Sequence, residues 1–210
     1  MNIVKPKSLN NLEKTENLIE EIIDEQILNK EIENVLLSNI EIYDVEFETI
    51  IMNNTEITQS KLEKNTFTDI KFENCNFSNT SFENSIFIRC EFINCKMTGC
   101  NFIQARLYNV SFIETNINYA NFANSTIENV IFKNTSIRNS SFQENNFKNL
   151  YFQKADLTQA QFFKTSLKNI DLSDSIIEGI AVSLEDIKGA SINTFQAVDL
   201  LYLIGVKIVD

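Results

Sequence analysis

The chain has 210 residues, 43% of them hydrophobic, which is enough for one buried core, and it carries a formal charge of −11. That charge argues against unaided binding to a nucleic-acid backbone, which needs Lys and Arg to displace counterions, but it suits a partner whose basic surface ordinarily holds nucleic acid. No run approaches the roughly 18 apolar residues of a membrane span, and the opening MNIVKPKSLNN has no apolar signal core, so a cytoplasmic protein without membrane attachment is expected.

Residues 1–28 read as an N-terminal extension or cap. Within them LEKTENLIEEIIDEQIL, residues 12–28, has two readings. One is a short amphipathic helix with Leu18, Ile22, Ile23 and Ile27 on one side. The other is an extension that leads into the first strand.

From residue 29 to 182 the pattern is unlike a helix or an ordinary strand. Apolar residues stand at every fifth position from Ile32 to Ile177, through Phe72, Phe77, Phe82, Phe87 and Phe92, for 30 successive repeats, and 15 of the 17 Phe residues fall on these centres. Two residues before most centres stands a small or β-branched residue, such as Cys75, Thr80, Ser85 or Ala105. Two inward positions two residues apart make one short strand-like edge. Two residues after the centre, 14 of the 30 repeats carry Asn, and others carry Asp or Gly. These residues accept a positive φ most readily, as the third position of a type II turn requires. Short edges joined by regular corners build a coil, and stacked coils build a solenoid. One outward run, Ile88, Ile93, Ile103, Tyr108 and Ile113, reads as a contact patch on its surface.

The four Cys residues, Cys75, Cys90, Cys95 and Cys100, all fall in the small inward column, where a thiol serves as a small hydrophobe. With no His in the chain, neither a mixed metal cluster nor a Ser–His or Cys–His pair is available. No acid lies in the inward columns and no Gly-rich phosphate loop is present. The expectation is a protein that is not an enzyme, with no catalytic residues, no cofactor and no metal.

Residues 183–210 read as a C-terminal cap and dimerisation helix. Asn193 and Gln196 have the spacing of a capping box. Ala197, Val198, Leu200, Leu201 and Ile204 supply an apolar helix face, and Gly205 ends the helix. That face is richer in aliphatics than one end-cap needs, so part of it is expected to meet a second copy.

The repeats resemble those of the pentapeptide-repeat proteins, and the stretch from Leu184 to Val209 is similar to the C-terminal module of the Qnr-type quinolone-resistance members. The first resemblance implies an all-β, right-handed quadrilateral β-helix with four pentapeptides per coil and a short C-terminal α-helix. The second implies a homodimer of end-to-end rods that mimics duplex DNA. Such a dimer would bind DNA gyrase or topoisomerase IV and protect it from fluoroquinolones or related toxins. The register does not break between residues 32 and 177, so the match is to the loop-free, Gram-positive-like members rather than to those with loops interrupting the coil.

The acids assigned to a partner surface are Glu31, Glu33, Glu41, Asp44, Glu46, Glu48 and Glu56, in a stretch without Lys or Arg. Residues 1–100 carry 18 acids against 9 bases, and residues 101–210 carry 11 against 9, so the acidity lies mainly away from the expected dimer junction. Two chains of −11 carry about half the charge of a duplex of equal length at one charge per ~1.7 Å, a partial electrostatic match. A structural or scaffolding solenoid with an unrelated protein partner is the alternative.

Overall fold

The structure, a computed structural model, describes residues 3–207 and 209. The expected quadrilateral β-helix is what the chain forms. Each coil takes 20 residues, so every residue lies above the one 20 before it, as Phe72 pairs with Phe92 and Phe112 with Phe132. The four sides of the coil are named here by their centres Phe72, Phe77, Phe82 and Phe87.

Among the described residues, twelve strands are distinct enough to name. In the first coils they are β1 (Glu13–Thr15), β2 (Gln26–Glu33), β3 (Leu36–Ser38), β4 (Glu41–Tyr43), β5 (Glu46–Asn53), β6 (Glu56–Thr58) and β7 (Lys61–Glu63). Then follow β8 (Thr66–Glu73), β9 (Ile86–Ile93), β10 (Arg106–Ile113), β11 (Thr126–Lys133) and β12 (Asn146–Gln153). β1, β2, β5 and β8–β12 form one parallel eight-stranded sheet. From β5 to β12 this sheet bends around the Phe87 and Phe72 sides, while the other two sides are held by two-stranded sheets and single bridges.

The corners explain how so few glycines suffice. Of the 30 positions two residues after a centre, 29 have positive φ: 27 non-glycine residues together with Gly99 and Gly179. After the Phe77 and Phe82 sides the corner closes a turn bond, with Thr80 N–H donating to Phe77 O at 3.0 Å and Ser85 N–H to Phe82 O at 3.1 Å. Asn79 and Asn84 sit there at φ 58 and 59, as a type II turn requires. The corners at Asp69, Arg89 and Asn109 instead fall inside continuous strands. Once coils above and below over-determine the backbone, Thr49, Arg89, Tyr119 and Glu144 adopt the same conformation as Asn.

Inside, the aromatic rings stack at the interstrand spacing. Phe72, Phe92, Phe112 and Phe132 stand 4.5 to 4.9 Å apart in one column, and Phe102, Phe122 and Phe142 4.7 to 4.9 Å apart in another. The two columns meet edge to face, as at Phe112–Phe122, 6.5 Å. Each ring is fully buried, a contribution of about 2 kcal/mol or more apiece. The small column carries the polar side of the core. Thr80, Ser85, Ser125 and Thr165 each donate to the carbonyl of the centre 23 residues earlier, at 2.6 to 2.9 Å. Ser140 also accepts the N–H of Ala120 at 3.1 Å. A hydroxyl is thus paired on both sides, so Ser and Thr cost nothing where a pure hydrocarbon is otherwise expected.

Residues 12–28 form no helix. Leu18 and Ile27 are buried, whereas Ile23, on the supposed helix face, is 66% exposed. The spacing Ile22–Ile27–Ile32 is already that of the coil, and β1 lies along β2 with Glu13 opposite Lys30. At the other end come α1 (Leu184–Ile187), capped by Ser183, and α2 (Gln196–Leu200), which tightens into a 3-10 turn over Leu201–Ile204. Among the described residues no helix is long and apolar enough to cross a membrane.

Candidate protein-binding surfaces

The C-terminal end is closed by one buried side chain. Gln196 and Asn193 form a reciprocal capping box, Gln196 N–H donating to Asn193 Oδ1 at 3.0 Å and Asn193 N–H to Gln196 Oε1 at 2.8 Å. The Gln196 amide then donates to Leu172 O at 2.8 Å, which also accepts the Ser175 N–H, and to Ser175 O at 2.6 Å. Gly205, at φ 74, ends the 3-10 turn by donating to Leu201 and Tyr202 carbonyls.

The five residues assigned to a dimer contact divide into two groups. Leu200 packs on the hydrophobic core and Leu201 is half-buried, while Ala197, Val198 and Ile204 face outward, the last two 52% and 61% exposed. Sequence reasoning missed their exposed neighbours Phe195, Tyr202, Val206 and Val209. The signal was present in Phe195, one of the two Phe residues off the five-residue register.

The seven acids of the N-terminal half lie in successive coils but not on one face. Glu31 and Glu33 flank Ile32 on the Phe72 side, Glu41 lies on the Phe82 side, Glu46 and Glu48 on the Phe87 side, Glu56 on the Phe77 side, and Asp44 at a corner. They form a collar rather than a stripe. Lys14 lies 3.3 Å from Glu33 and 3.6 Å from Glu31, and Lys61 lies 2.8 Å from Glu41. The Lys61 ammonium, with the Tyr43 hydroxyl, holds the Glu41 carboxyl below its ordinary value. Asp24, Glu25, Asp44 and Glu46 line a cleft with Lys64.

A third surface was not anticipated. Residues 3–7 run along the outside of the eight-stranded sheet as a strap. Lys7 N–H donates to Asp69 Oδ1 at 2.9 Å, Lys5 pairs with Glu91 at 3.2 Å, and Val4 N–H donates to Asn109 Oδ1 at 3.2 Å. Ile3 lines a groove with Ile113 and Ile131. The outward residues Asp69, Glu91, Ser111 and Ile131 are consequently buried. Burial alone would raise the Asp69 carboxyl, but the Arg89 guanidinium and the Lys7 N–H outweigh it and hold the group below its ordinary value. The expected patch changes accordingly: Ile88, Ile93, Tyr108 and Ile113 are half-buried on β9 and β10 beside the strap, and Ile103 lies on the Phe82 side.

The family model described as a pentapeptide repeat region matches residues 65–142 and 85–162. No curated protein matches the chain. Among solved structures, a trypsin-treated form of QnrB1, described as a plasmid-mediated fluoroquinolone resistance protein, is 19% identical with a TM-score of 0.45, over 86% of this chain and 92% of its own. A pentapeptide repeat protein from the Arabidopsis thaliana thylakoid lumen is 22% identical with a TM-score of 0.32, over 45% of this chain and 66% of its own. The A-module of the mannuronan C-5 epimerase AlgE4 from Azotobacter vinelandii is 12% identical with a TM-score of 0.41, over 76% and 56%.

Proposed function

Because this chain is a pentapeptide-repeat protein, with the same coil running on either side of the matched residues, we propose that it is an interaction protein whose partner is a type II topoisomerase. It binds DNA gyrase or topoisomerase IV as an acidic rod and protects the enzyme from fluoroquinolones or related toxins. The observation that carries this reading is the C-terminal module. Residues 184–209 are similar in sequence to that of the Qnr-type proteins, and here they set an outward apolar surface, with Val198, Tyr202 and Ile204 exposed, at one end of a chain of charge −11. In this proposal residues 1–28 cap the rod, 29–182 form it, and 183–210 join two copies. The collar of Glu31, Glu33, Glu41, Asp44, Glu46, Glu48 and Glu56 then lies at the outer ends of the dimer and meets the basic, DNA-holding surface of the partner.

The second reading, a scaffold for an unrelated protein, is favoured by the collar itself. Acids on all four sides, several paired with Lys14 or Lys61, present less continuous charge than a duplex backbone does.

Gyrase supercoiling in ciprofloxacin, with the purified protein titrated beside a drug-free control, separates the readings. Restored supercoiling at low protein supports protection. Loss of supercoiling in the drug-free lane replaces protection by inhibition, and no change in either lane, with a topoisomerase of the source organism, overturns the reading in favour of a scaffold.

A further inference from the structure

Two of the four thiols are neighbours in one column, which the other two are not. We propose that Cys75 and Cys95 are an oxidant-responsive pair that closes to a disulfide between successive coils. The proposal is independent of what the rod binds.

The register places one residue directly above the other. Glu73 pairs with Ile93, Asn76 bridges to Lys96, and Lys96 N–H donates to the Cys75 carbonyl at 2.8 Å. Stacked strands stand about 4.8 Å apart, inside the Cα separation of about 4.4 to 6.8 Å that a disulfide spans. Each thiol points into the same column, Cys75 Sγ–H donating to Met52 O at 3.3 Å and Cys95 Sγ–H to Phe72 O at 3.6 Å. Both lie at a corner, outside the named strands, so the local backbone is not tied into a full ladder on each side. Both also line the floor of an open groove of about 580 Å³, with Asn54, Asn74, Asn94 and Lys96 on its walls. Cys75 and Cys95 are 2% and 3% exposed at that floor, so the groove is the side from which a small oxidant would approach them.

Cys90 and Cys100 have no such neighbour and line no such groove, although Cys100 also lies at a corner. They are 0% and 1% exposed, and Cys90 stacks between Ile70 and Val110 with no thiol beside it. Burial pushes the Cys90 thiol up to about 12 and the Cys100 thiol upward as well, so neither forms a thiolate at neutral pH.

The pair is unequal in acidity. The neighbouring Cys95 thiol lowers Cys75 below its ordinary value, while Cys75 and burial together raise Cys95. The Cys75 thiolate attacks one oxygen of a hydroperoxide: an S–O bond forms, the O–O bond breaks, and the departing oxygen leaves as water or alcohol with the thiol's proton. The Cys95 sulfur then attacks the sulfenic sulfur: the S–S bond forms, the S–O bond breaks, and hydroxide leaves with the Cys95 proton as a second water. Two thiols and one peroxide give one disulfide and either two waters, from hydrogen peroxide, or one alcohol and one water, from an organic hydroperoxide.

The test treats the folded full-length chain with hydrogen peroxide, alkylates it after denaturation, and reads the intact mass and peptide map. The expected result is loss of two hydrogens per chain, one Cys75–Cys95 linkage, and Cys90 and Cys100 still alkylated. Cys75→Thr and Cys95→Thr copy Thr55 and Thr115, which occupy the same column one coil below and one above, and circular dichroism checks that they fold. Cys95→Thr halts at a sulfenic acid on Cys75 that dimedone traps, and Cys75→Thr leaves Cys95 a thiol. Four alkylated cysteines after peroxide, or oxidation of Cys90 or Cys100 as fast as the pair, overturns the proposal. So does equal dimedone labelling of Cys95 in Cys75→Thr. Should a variant fail to fold, the linkage map of the unsubstituted chain decides alone.

Discussion

The Asp69 carboxylate receives two bonds from the Arg89 guanidinium, one coil further along, at 2.6 and 2.7 Å. A third comes from the N–H of Lys7. The pair joins two successive coils to the strap, and its carboxylate side chain is only 9% exposed.

Asp69→Asn keeps a residue that tolerates the positive φ of 55 at this corner and removes the charge. Losing one partner of a buried pair costs about 3–5 kcal/mol, and the 24% exposure of Arg89 reduces this to an expected ~1–3 kcal/mol through solvent screening. The pH dependence has a definite sign. Because the folded carboxyl is held below its ordinary value, its contribution is complete above the unfolded value of about 3.9 and is lost as pH falls through the folded value. Urea unfolding at pH 7 and near pH 3 should therefore show a large difference between the two proteins at the higher pH and a small one at the lower. Equal differences at both would remove the ion pair from the account.

Asn145 is the misfit of the inward column. Its Oδ1 accepts the Ser125 N–H at 2.7 Å, but its buried Nδ2 has no partner. One coil on, Thr165 donates to Phe142 O and accepts the Asn145 N–H. Asn145→Thr recreates that pattern against Phe122 O and should raise stability by about 1–2 kcal/mol, the cost of an unsatisfied buried donor. Asn65, whose Nδ2 does reach Ile42 O at 3.0 Å, is the control: Asn65→Thr should gain nothing. Chemical denaturation of the two variants side by side distinguishes the orphaned donor from a general preference for Thr.

Gln196→Ala strips the last coil of its cover. The Ser175 carbonyl loses its donor, the Leu172 carbonyl keeps only the Ser175 N–H, and the capping box opens, for an expected loss of about 2–3 kcal/mol. The effect should be local. Hydrogen exchange should accelerate first in the amides of residues 172–181 while the coils around Phe112 stay protected. Uniform acceleration along the rod would mean that the end and the middle unfold together.

For the proposed dimer, Val198→Asp and Ile204→Asp place charges on side chains that already face outward, so the monomer should fold normally and light scattering should report half the mass. Leu200→Ala should do the reverse. Its side chain packs on the core, so it should lower stability by about 2–3 kcal/mol and leave any association intact. A monomeric mass for the unsubstituted chain would end the dimer reading.

How much of this was legible in the sequence depends on the span of the contacts. Phe72 to Phe92 and the small column before them are short-range, repeated and chemically redundant, so the coil and its core are legible from periodicity, while its four sides are what the resemblance to the pentapeptide-repeat proteins implies. Asn at the corners is legible for the same reason, although Tyr119 and Arg89 at positive φ are not, because coils on either side impose what the residue itself disfavours. The Asn193–Gln196 capping box is readable, but the second task of the Gln196 amide is not, since its partners at Leu172 and Ser175 carry no side-chain signal. Residues 12–28 keep two readings open in the sequence because Leu18, Ile22, Ile23 and Ile27 fit a helix as well as a coil, and only burial of Leu18 and Ile27 with exposure of Ile23 separates the two. Acids spaced by odd steps around a four-sided coil spread over all its faces, which a linear count of charge conceals.

The strap has a consequence in time. Most contacts of the rod join residues about 20 apart, so each coil can settle as soon as the next is made. Val4 and Lys7, however, are held by Asn109 and Asp69, which lie 105 and 62 residues further along. At a synthesis rate of about 5–20 residues per second, residue 4 waits roughly 5–20 s for its berth while the coils that will hold it assemble. The segment that leaves the ribosome ahead of the rod is thus among the last to find its place on it.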